Sequence, residues 1–241
     1  MSQQVTPYQS SESKKAQVAE MFDNISGNYD FLNHLLSMGI DIRWRRKAIK
    51  FLAEVNPKQV LDIATGTGDF AIEALSLNPD KVTGVDISEG MLDMGREKMK
   101  KRKLDDRIEL KYGDSENLPF EDNTFDAMTV GFGVRNFENL LKGLTDMHRV
   151  LAPGGRAAVL EFSKPRKFPI KQLYNFYFLN ILPLIGRVIS KDHRAYTYLP
   201  ESVKVFPDGD DFLAVMREAG FTRLESHPVS FGIATIYLGH K

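Results

Sequence analysis

Short strand-like runs alternate with amphipathic helical stretches through the middle of the chain, and this alternation most constrains the fold. Five runs rich in branched apolar residues are separated by helical stretches such as 91–103 and 139–151. Parallel neighbours in a sheet need a crossover connection, which is usually a helix. The pattern therefore predicts an α/β fold with a doubly wound, mostly parallel sheet and helices on both faces. The five runs are 59–64, 81–87, 108–114, 125–133 and 155–163.

The last strand-like runs are connected differently. Residues 222–229 and 232–241 are separated only by Ser230 and Phe231, and so short a link cannot hold a crossover helix. The link predicts a hairpin, so we expect the sheet to end with an antiparallel last strand.

The remaining segments do not require a second domain. The 241 residues are compatible with one α/β domain that carries extra helices. We expect a flexible arm over 1–12, helices over 13–55 and a helical insertion over 170–206. Polar residues and a proline interrupt the most apolar part of the insertion, 170–190, so no membrane span is predicted.

Charge balance and composition argue against several kinds of partner. The chain has 32 Lys and Arg against 32 Asp and Glu, so it has no net field that would attract nucleic acid. It lacks cysteine, which excludes disulfides and thiolate zinc sites and is compatible with a reducing cytoplasm. No cluster of residues suggests a metal site. We therefore expect neither nucleic acid nor a metal ion as a partner.

A glycine loop follows the first predicted strand. Residues Gly66 to Ala71 match the pattern G-x-G-x-x-G/A, which lets a ligand approach backbone N–H groups at the start of a helix. A nicotinamide dinucleotide and S-adenosylmethionine could both use such a loop. The glycines alone leave both cofactors open.

Carboxylates near the ends of the strands help to separate the two cofactors. Asp62 precedes the loop, where it would attract an ammonium or sulfonium group and repel a pyrophosphate. Asp86 lies 18 residues beyond Gly68 and could accept the ribose hydroxyls of either cofactor. Asp114 and Ser115 follow the third strand and could read an adenine edge. Together they favour an S-adenosylmethionine-dependent methyltransferase over a nicotinamide oxidoreductase.

Each of these residues also has a purely structural interpretation. Asp86 could cap the following helix, and Asp62 could be a hydrogen-bonded carboxylate of the core. Asp114 and Ser115 could be ordinary loop residues. The predicted cofactor-binding set, including the loop, is Asp62, Gly66, Thr67, Gly68, Asp86, Asp114 and Ser115.

Two longer stretches, 29–44 and 149–165, resemble signatures of the C-methyltransferases of ubiquinone and menaquinone biosynthesis. Residues 132–136, 182–186 and 196–203 are also similar to that family, and the resemblance extends from Phe22 to the C-terminus. It implies a seven-stranded Rossmann-like methyltransferase sheet and S-adenosyl-L-methionine as cofactor. Among the predicted residues, the family's cofactor contacts correspond to Thr67, Asp86, Asp114 and Ser115.

The resemblance also implies a substrate and a reaction. The substrate would be a prenylated hydroquinone, with demethylmenaquinol converted to menaquinol in menaquinone biosynthesis. The alternatives are a 2-methoxy-6-polyprenyl-1,4-benzoquinol of ubiquinone biosynthesis or another lipid, and a nicotinamide oxidoreductase is a remote third. A ring carbon becomes nucleophilic when a hydroxyl with a pKa of about 10 loses its proton.

By the same resemblance, Arg135 and Asn136 form the catalytic dyad, just beyond the fourth strand. Arginine cannot act as a base, but it can stabilise a phenolate or hold a water that takes the proton, and Asn136 can orient the ring oxygen. A structural ion pair from Arg135 to a carboxylate such as Glu138 is the alternative. Weaker candidates are Tyr29, His34, Asp41 and His193.

This reaction suggests functions for the segments outside the sheet. The helices over 13–55 would form a lid over the cofactor, and the insertion over 170–206 would lie on the substrate side. Apolar residues of 170–190 could line an entrance for the prenyl tail, rest on a membrane surface or complete the core. We expect a cytoplasmic protein with peripheral contact at the inner face of the membrane. The oligomeric state is not fixed, and a homodimer is one candidate.

Overall fold

A mixed seven-stranded sheet forms the centre of the protein. The computed structural model describes residues 5–8, 10–28, 37, 39–177, 180 and 193–241, except for the side chains of 193, 195 and 196. The strands lie in the order β3-β2-β1-β4-β5-β7-β6. Their bounds are β1 Gln59–Ile63, β2 Lys81–Asp86, β3 Ile108–Tyr112, β4 Phe125–Gly131, β5 Leu151–Phe162, β6 Thr222–Val229 and β7 Ala234–His240.

The strand directions confirm the predicted hairpin. Strands β1 to β5 pair in parallel, whereas β7 is antiparallel to both of its neighbours, β5 and β6. The chain starts at β1, winds outward to β3 and then returns to β4 on the other side of β1. This reversal is the point in an open α/β sheet where ligands bind, beyond the carboxyl ends of the strands.

Helices cover both faces of the sheet. In the described part of the chain they are α1 Lys14–Ile25, α2 Ile40–Leu52, α3 Asp69–Ala74, α4 Glu89–Arg102, α5 Leu140–Val150, α6 Ile170–Phe176, α7 His193–Val205 and α8 Asp210–Glu218. None of the described helices is long and apolar enough to cross a membrane.

Successive side chains of β1 show how the two faces of the sheet are buried. Leu61 and Ile63 pack with residues of α5 and α8, such as Leu144 and Phe212. Val60, on the opposite face, packs with α2, α3 and α4. Successive side chains of a strand point to opposite faces, so a strand covered on both sides is apolar at nearly every position.

Helix α1 packs apart from these two layers. Val18 and Met21 form a small cluster with Tyr198 of α7, beside the carboxyl ends of the strands. Ser13 caps the helix by accepting a hydrogen bond from the N–H of Ala16 at 3.2 Å. The N-terminal helix is therefore packed where a ligand at the reversal point would be covered.

Truncation of Leu144 tests the packing of α5 on the sheet. Leu144 is completely buried, so Leu144→Ala should lower the free energy of unfolding by about 2–5 kcal/mol. Urea denaturation monitored by circular dichroism would measure it. Leu173→Ala is the matched control, because Leu173 is 61% exposed and its loss should change stability by less than about 0.5 kcal/mol. Equal losses in the two variants would contradict the described packing.

Candidate active site

The glycine loop between β1 and α3 has a backbone that favours glycine. Gly66 and Gly68 both have positive φ angles, of 55° and 86°. A Cβ atom on Gly68 would lie 2.5 Å from the Cε of Met99 in α4, so the loop and this helix pack closely. The N–H of Gly68 donates to the carbonyl of Thr65 at 2.9 Å. Gly68 thus supports the turn that places Gly66 and Thr67 at the cavities described below.

Asp86 connects the glycine loop to the end of β2. Its Oδ2 accepts a hydrogen bond from the N–H of Gly66 at 2.8 Å, and its Oδ1 accepts one from the N–H of Ser88 at 3.0 Å. Burial raises the pKa of Asp86, although these N–H donors oppose the shift. Ser88, not Asp86, caps α4, because its Oγ accepts from the N–H of Met91.

Asp62 has the hydrogen bonds of a core carboxylate. It is completely buried, and its two oxygens accept from the hydroxyls of Thr65 and Thr129 at 2.6 and 2.7 Å. Burial raises the pKa of Asp62 to about 6. It also lines a cavity of about 380 Å³ together with Gly66 and Thr67. Its contact with a ligand stays a prediction.

Charged side chains that the sequence analysis did not single out surround this smaller cavity. The Oγ1 of Thr67 accepts from the Nζ of Lys98 at 2.7 Å, and Lys98 also pairs with Asp69 at 2.9 Å. Arg45 lines the cavity and pairs with Asp41 at 2.6 Å. Asp41 is therefore held by an ion pair within α2. Nothing in the spacing of the basic residues in α4 distinguishes Lys98 from its solvated neighbours.

A larger cavity of about 640 Å³ lies at the reversal point of the sheet. The predicted residues that line it are Gly66, Asp86, Asp114, Ser115 and Asn136. Asp114 accepts the N–H of Glu116 at 2.9 Å and pairs with Lys15 at 2.5 Å. The structure thus brings the ends of β1, β2, β3 and β4 together around one space.

Helix α1 covers this cavity, with Val18 and Phe22 lining it. The Nζ of Lys14 donates to the carbonyls of Arg135 and Phe137 at 3.0 and 2.9 Å. At the other end of the helix, Asp23 accepts from the Oγ of Ser88 at 2.6 Å. Sequence patterns do not predict these contacts, because they join residues far apart in the chain.

Arg135 and Asn136 lie in a short 3-10 turn, Val134–Asn136, that follows β4. The partner of Arg135 is Glu161 of β5: Arg135 Nη1 lies 3.0 Å from Oε1, and the N–H of Arg135 donates to Oε2 at 3.3 Å. The predicted alternative partner, Glu138, instead accepts the N–H of Lys14. The guanidinium also donates to the carbonyl of Phe132. The side chains of the ion pair are 8% and 0% exposed, so the charge of Arg135 is compensated inside the protein.

Unsatisfied polar atoms lie around this turn. Arg135 Nε and Asn136 Oδ1 are buried without a hydrogen-bond partner among the residues that the structure describes, and so is the hydroxyl of Tyr198. Burial raises the pKa of Tyr198 to about 12. Native proteins leave few buried polar atoms unpaired, so such a group indicates an additional partner.

Several weaker candidates cannot be placed. Tyr29 and His34 lie outside the described residues, as do the side chain of His193 and most of 178–192. The predicted entrance formed by 170–190 is therefore described only through α6, Tyr177 and Asn180. Within the described ranges, no group of three or more His, Cys, Asp or Glu residues could hold a metal ion.

Solved structures share this architecture. The [4+2]-cyclase SpnF superposes with a TM-score of 0.69 at 17% identity, over 94% of this chain and 96% of that protein. A SAM-dependent methyltransferase from Thermotoga maritima gives a TM-score of 0.64 at 19% identity, over 92% of this chain and 99% of the other. At these identities the likeness shows the fold.

Relatives in sequence are far closer. A Bacteroides fragilis protein named demethylmenaquinone methyltransferase is 48% identical over 99% of this chain and 98% of its own length. A Porphyromonas gingivalis protein of the same name is 45% identical, with the same coverage. A Geobacter sulfurreducens protein, named ubiquinone/menaquinone biosynthesis C-methyltransferase UbiE, is 46% identical over 98% of this chain and 93% of its own. The pattern of one family matches residues 10–241, and the chain belongs to that family, the ubiE/COQ5 methyltransferases.

Proposed function

We propose that this enzyme transfers a methyl group from S-adenosylmethionine to a ring carbon of a prenylated hydroquinone, converting demethylmenaquinol to menaquinol. The observation that carries the proposal is the 640 Å³ cavity at the reversal point, lined by Asp86, Asp114 and Asn136. The relatives named demethylmenaquinone methyltransferase, at 48% and 45% identity, support this acceptor. Family membership decides between the two classes of enzyme that the glycine loop left open.

The residues around the cavity fit the cofactor. In this proposal the free lone pairs of Asp86 accept the ribose hydroxyls, and Asp114 and Ser115 contact the adenine. Gly66, Thr67 and Asp62 hold the methionine part, with Gly68 supporting their turn. When bound, S-adenosylmethionine supplies an electrophilic methyl group.

The dyad acts on the acceptor. Arg135 stabilises the negative charge that develops on the ring oxygen when its proton leaves, because its buried guanidinium lies in a low-dielectric environment. Asn136 lines the cavity and orients the ring. Glu161 holds the Arg135 guanidinium and its backbone N–H in one arrangement. α1 excludes water from the reacting groups.

We further propose that the prenyl tail enters from a membrane surface beside α6. Phe168, Leu173 and Phe176 are 81%, 61% and 59% exposed. Lys167 and Lys171 are exposed in the same segment and would meet anionic headgroups. Aromatic and basic side chains together are typical of a protein that binds peripherally to a bilayer.

Mass spectrometry of the product tests the acceptor. The purified enzyme, incubated with S-adenosylmethionine and chemically reduced quinols, should add one methyl group to demethylmenaquinol. A 2-methoxy-6-polyprenyl-1,4-benzoquinol in a parallel reaction tests the ubiquinone branch, which the relatives named UbiE support. Methylation of the benzoquinol alone would reverse the choice of substrate, and methylation of neither quinol would contradict the proposed function.

Asp86→Asn should weaken cofactor binding. The amide loses the charge that favours the N–H groups of Gly66 and Ser88 and the ribose, and such hydrogen bonds are worth about 1.5–3 kcal/mol. Calorimetry should therefore show a Kd for S-adenosylmethionine that is raised about tenfold to a hundredfold. Asp126→Asn is the matched control. Asp126 also accepts two N–H groups, from Lys58 and Gln59, but it lies near the amino end of β4, away from the cavity. Equal affinities of Asp86→Asn and the wild type would remove Asp86 from the cofactor site.

Arg135→Gln should separate catalysis from cofactor binding. Loss of the positive charge should lower kcat about 100-fold to 1,000-fold, as for removal of a group that stabilises an oxyanion. The Kd for S-adenosylmethionine should stay within about twofold of the wild type, because Arg135 does not line the cavity. Arg156→Gln removes another buried arginine that pairs with glutamates, and it controls for lost stability. Near-normal turnover of Arg135→Gln would exclude the proposed role.

A further inference from the structure

The hydroxyl of Tyr198 is a buried polar group without a structural function. Tyr198 is 2% exposed, and its hydroxyl has no hydrogen-bond partner among the described residues. A buried hydroxyl without a partner costs about 1–3 kcal/mol, whereas phenylalanine would fill the same space at no such cost. The position therefore favours phenylalanine on grounds of stability.

Tyr198 lies next to the turn that carries Arg135 and Asn136. Helix α7 packs on this turn, and the charges of Arg135 and Glu161 both influence the titration of Tyr198. Tyr198 also packs in the small cluster with Val18 and Phe22, which line the 640 Å³ cavity. Tyr198 is thus on a helix that packs on the catalytic turn, and it contacts residues that line the cavity.

Two polar atoms of the turn also lack a partner in the described chain, namely Arg135 Nε and Asn136 Oδ1. Together with the Tyr198 hydroxyl they offer donors and an acceptor to one oxygen-bearing ligand. A hydroquinone has hydroxyl oxygens that can both donate and accept. Unsatisfied atoms on the turn and on the helix that packs on it are what such a ligand would complete.

We propose that Tyr198 is an acceptor-binding residue whose hydroxyl donates a hydrogen bond to the ring oxygen of the hydroquinone as its negative charge develops. The assignment rests on the proposed quinol methylation. The charge of Arg135 is already compensated by Glu161, so a second donor adds stabilisation that the ion pair does not supply.

The groups around Tyr198 are compatible with a donor. Burial raises its pKa to about 12, above the pKa of about 10 of an ordinary phenol, so Tyr198 keeps its proton when the substrate loses one. The charged groups that influence its titration are Arg135 and Glu161 of β5. Tyr174 and Tyr177 pack against the same cluster, and burial raises the pKa of each of them as well. Lys14 of α1 is also near the turn, since its Nζ donates to the carbonyl of Arg135.

Tyr198→Phe tests the assignment because it should lower catalytic efficiency without lowering stability. The unfolding temperature should stay the same or rise, because an unsatisfied hydroxyl is removed. The kcat/KM for demethylmenaquinol should fall about tenfold to a hundredfold, which corresponds to the loss of a hydrogen bond to a charged oxygen. The Kd for S-adenosylmethionine should be unchanged in calorimetry.

Tyr237→Phe is the matched control. Tyr237 is also completely buried, but its hydroxyl accepts the N–H of Gly209 at 2.8 Å. Its removal should lower the unfolding temperature and leave kcat/KM unchanged.

Three outcomes distinguish the role of Tyr198 from the proposed function. A fall in kcat/KM confined to Tyr198→Phe supports the assignment. Wild-type kcat/KM in Tyr198→Phe, or a loss of activity that only follows a lower unfolding temperature, overturns it while leaving quinol methylation intact. Failure of the wild type itself to methylate a quinol overturns the proposed function and this assignment with it.

Discussion

The buried carboxylate of Asp86 is the interaction on which the rest of the site depends. It binds the N–H groups of Gly66 and Ser88, so one side chain fixes both the glycine loop and the approach to α4. Ser88 then caps α4 and donates its hydroxyl to Asp23 of α1. The glycine loop, α4 and α1 are therefore held by one connected set of hydrogen bonds. A substitution of Asp86 should affect the position of all three.

The residues proposed to bind the methyl acceptor include a buried ion pair. Arg135 and Glu161 form a pair with almost no exposure to water, and Tyr198 lies beside it. A buried pair contributes little net stability, but each partner strongly fixes the other. In the proposed reaction this arrangement supplies preoriented donors, at the cost of polar atoms that have no partner until the substrate is bound.

The sheet and the carboxylates could be predicted because they depend on local signals. The alternation of strand-like runs with helical stretches predicts the parallel sheet. The two-residue link between the last two runs predicts its antiparallel end. Asp86 is the last residue of β2 and Asp114 lies two residues beyond β3, so both lie where parallel strands end. Family similarity supplied Arg135 and Asn136, which no periodicity singles out.

Contacts that depend on tertiary packing could not be predicted in the same way. Glu138 is close to Arg135 in sequence, but Glu161 is its partner because β5 pairs in parallel with β4 and Leu160 lies opposite Gly131. Lys14 and Tyr198 reach the turn only through the packing of α1 and α7, which short patterns do not encode.

A crystal structure with S-adenosylhomocysteine bound would test directly whether the cofactor lies in the cavity at the reversal point, with its ribose at Asp86. The proposed placement of the cofactor puts the ribose within hydrogen-bond distance of Asp86, the adenine beside Asp114 and Ser115, and the sulfur on the side of Asn136. A ligand bound outside the cavity at the reversal point, or a ribose that does not contact Asp86, would contradict it.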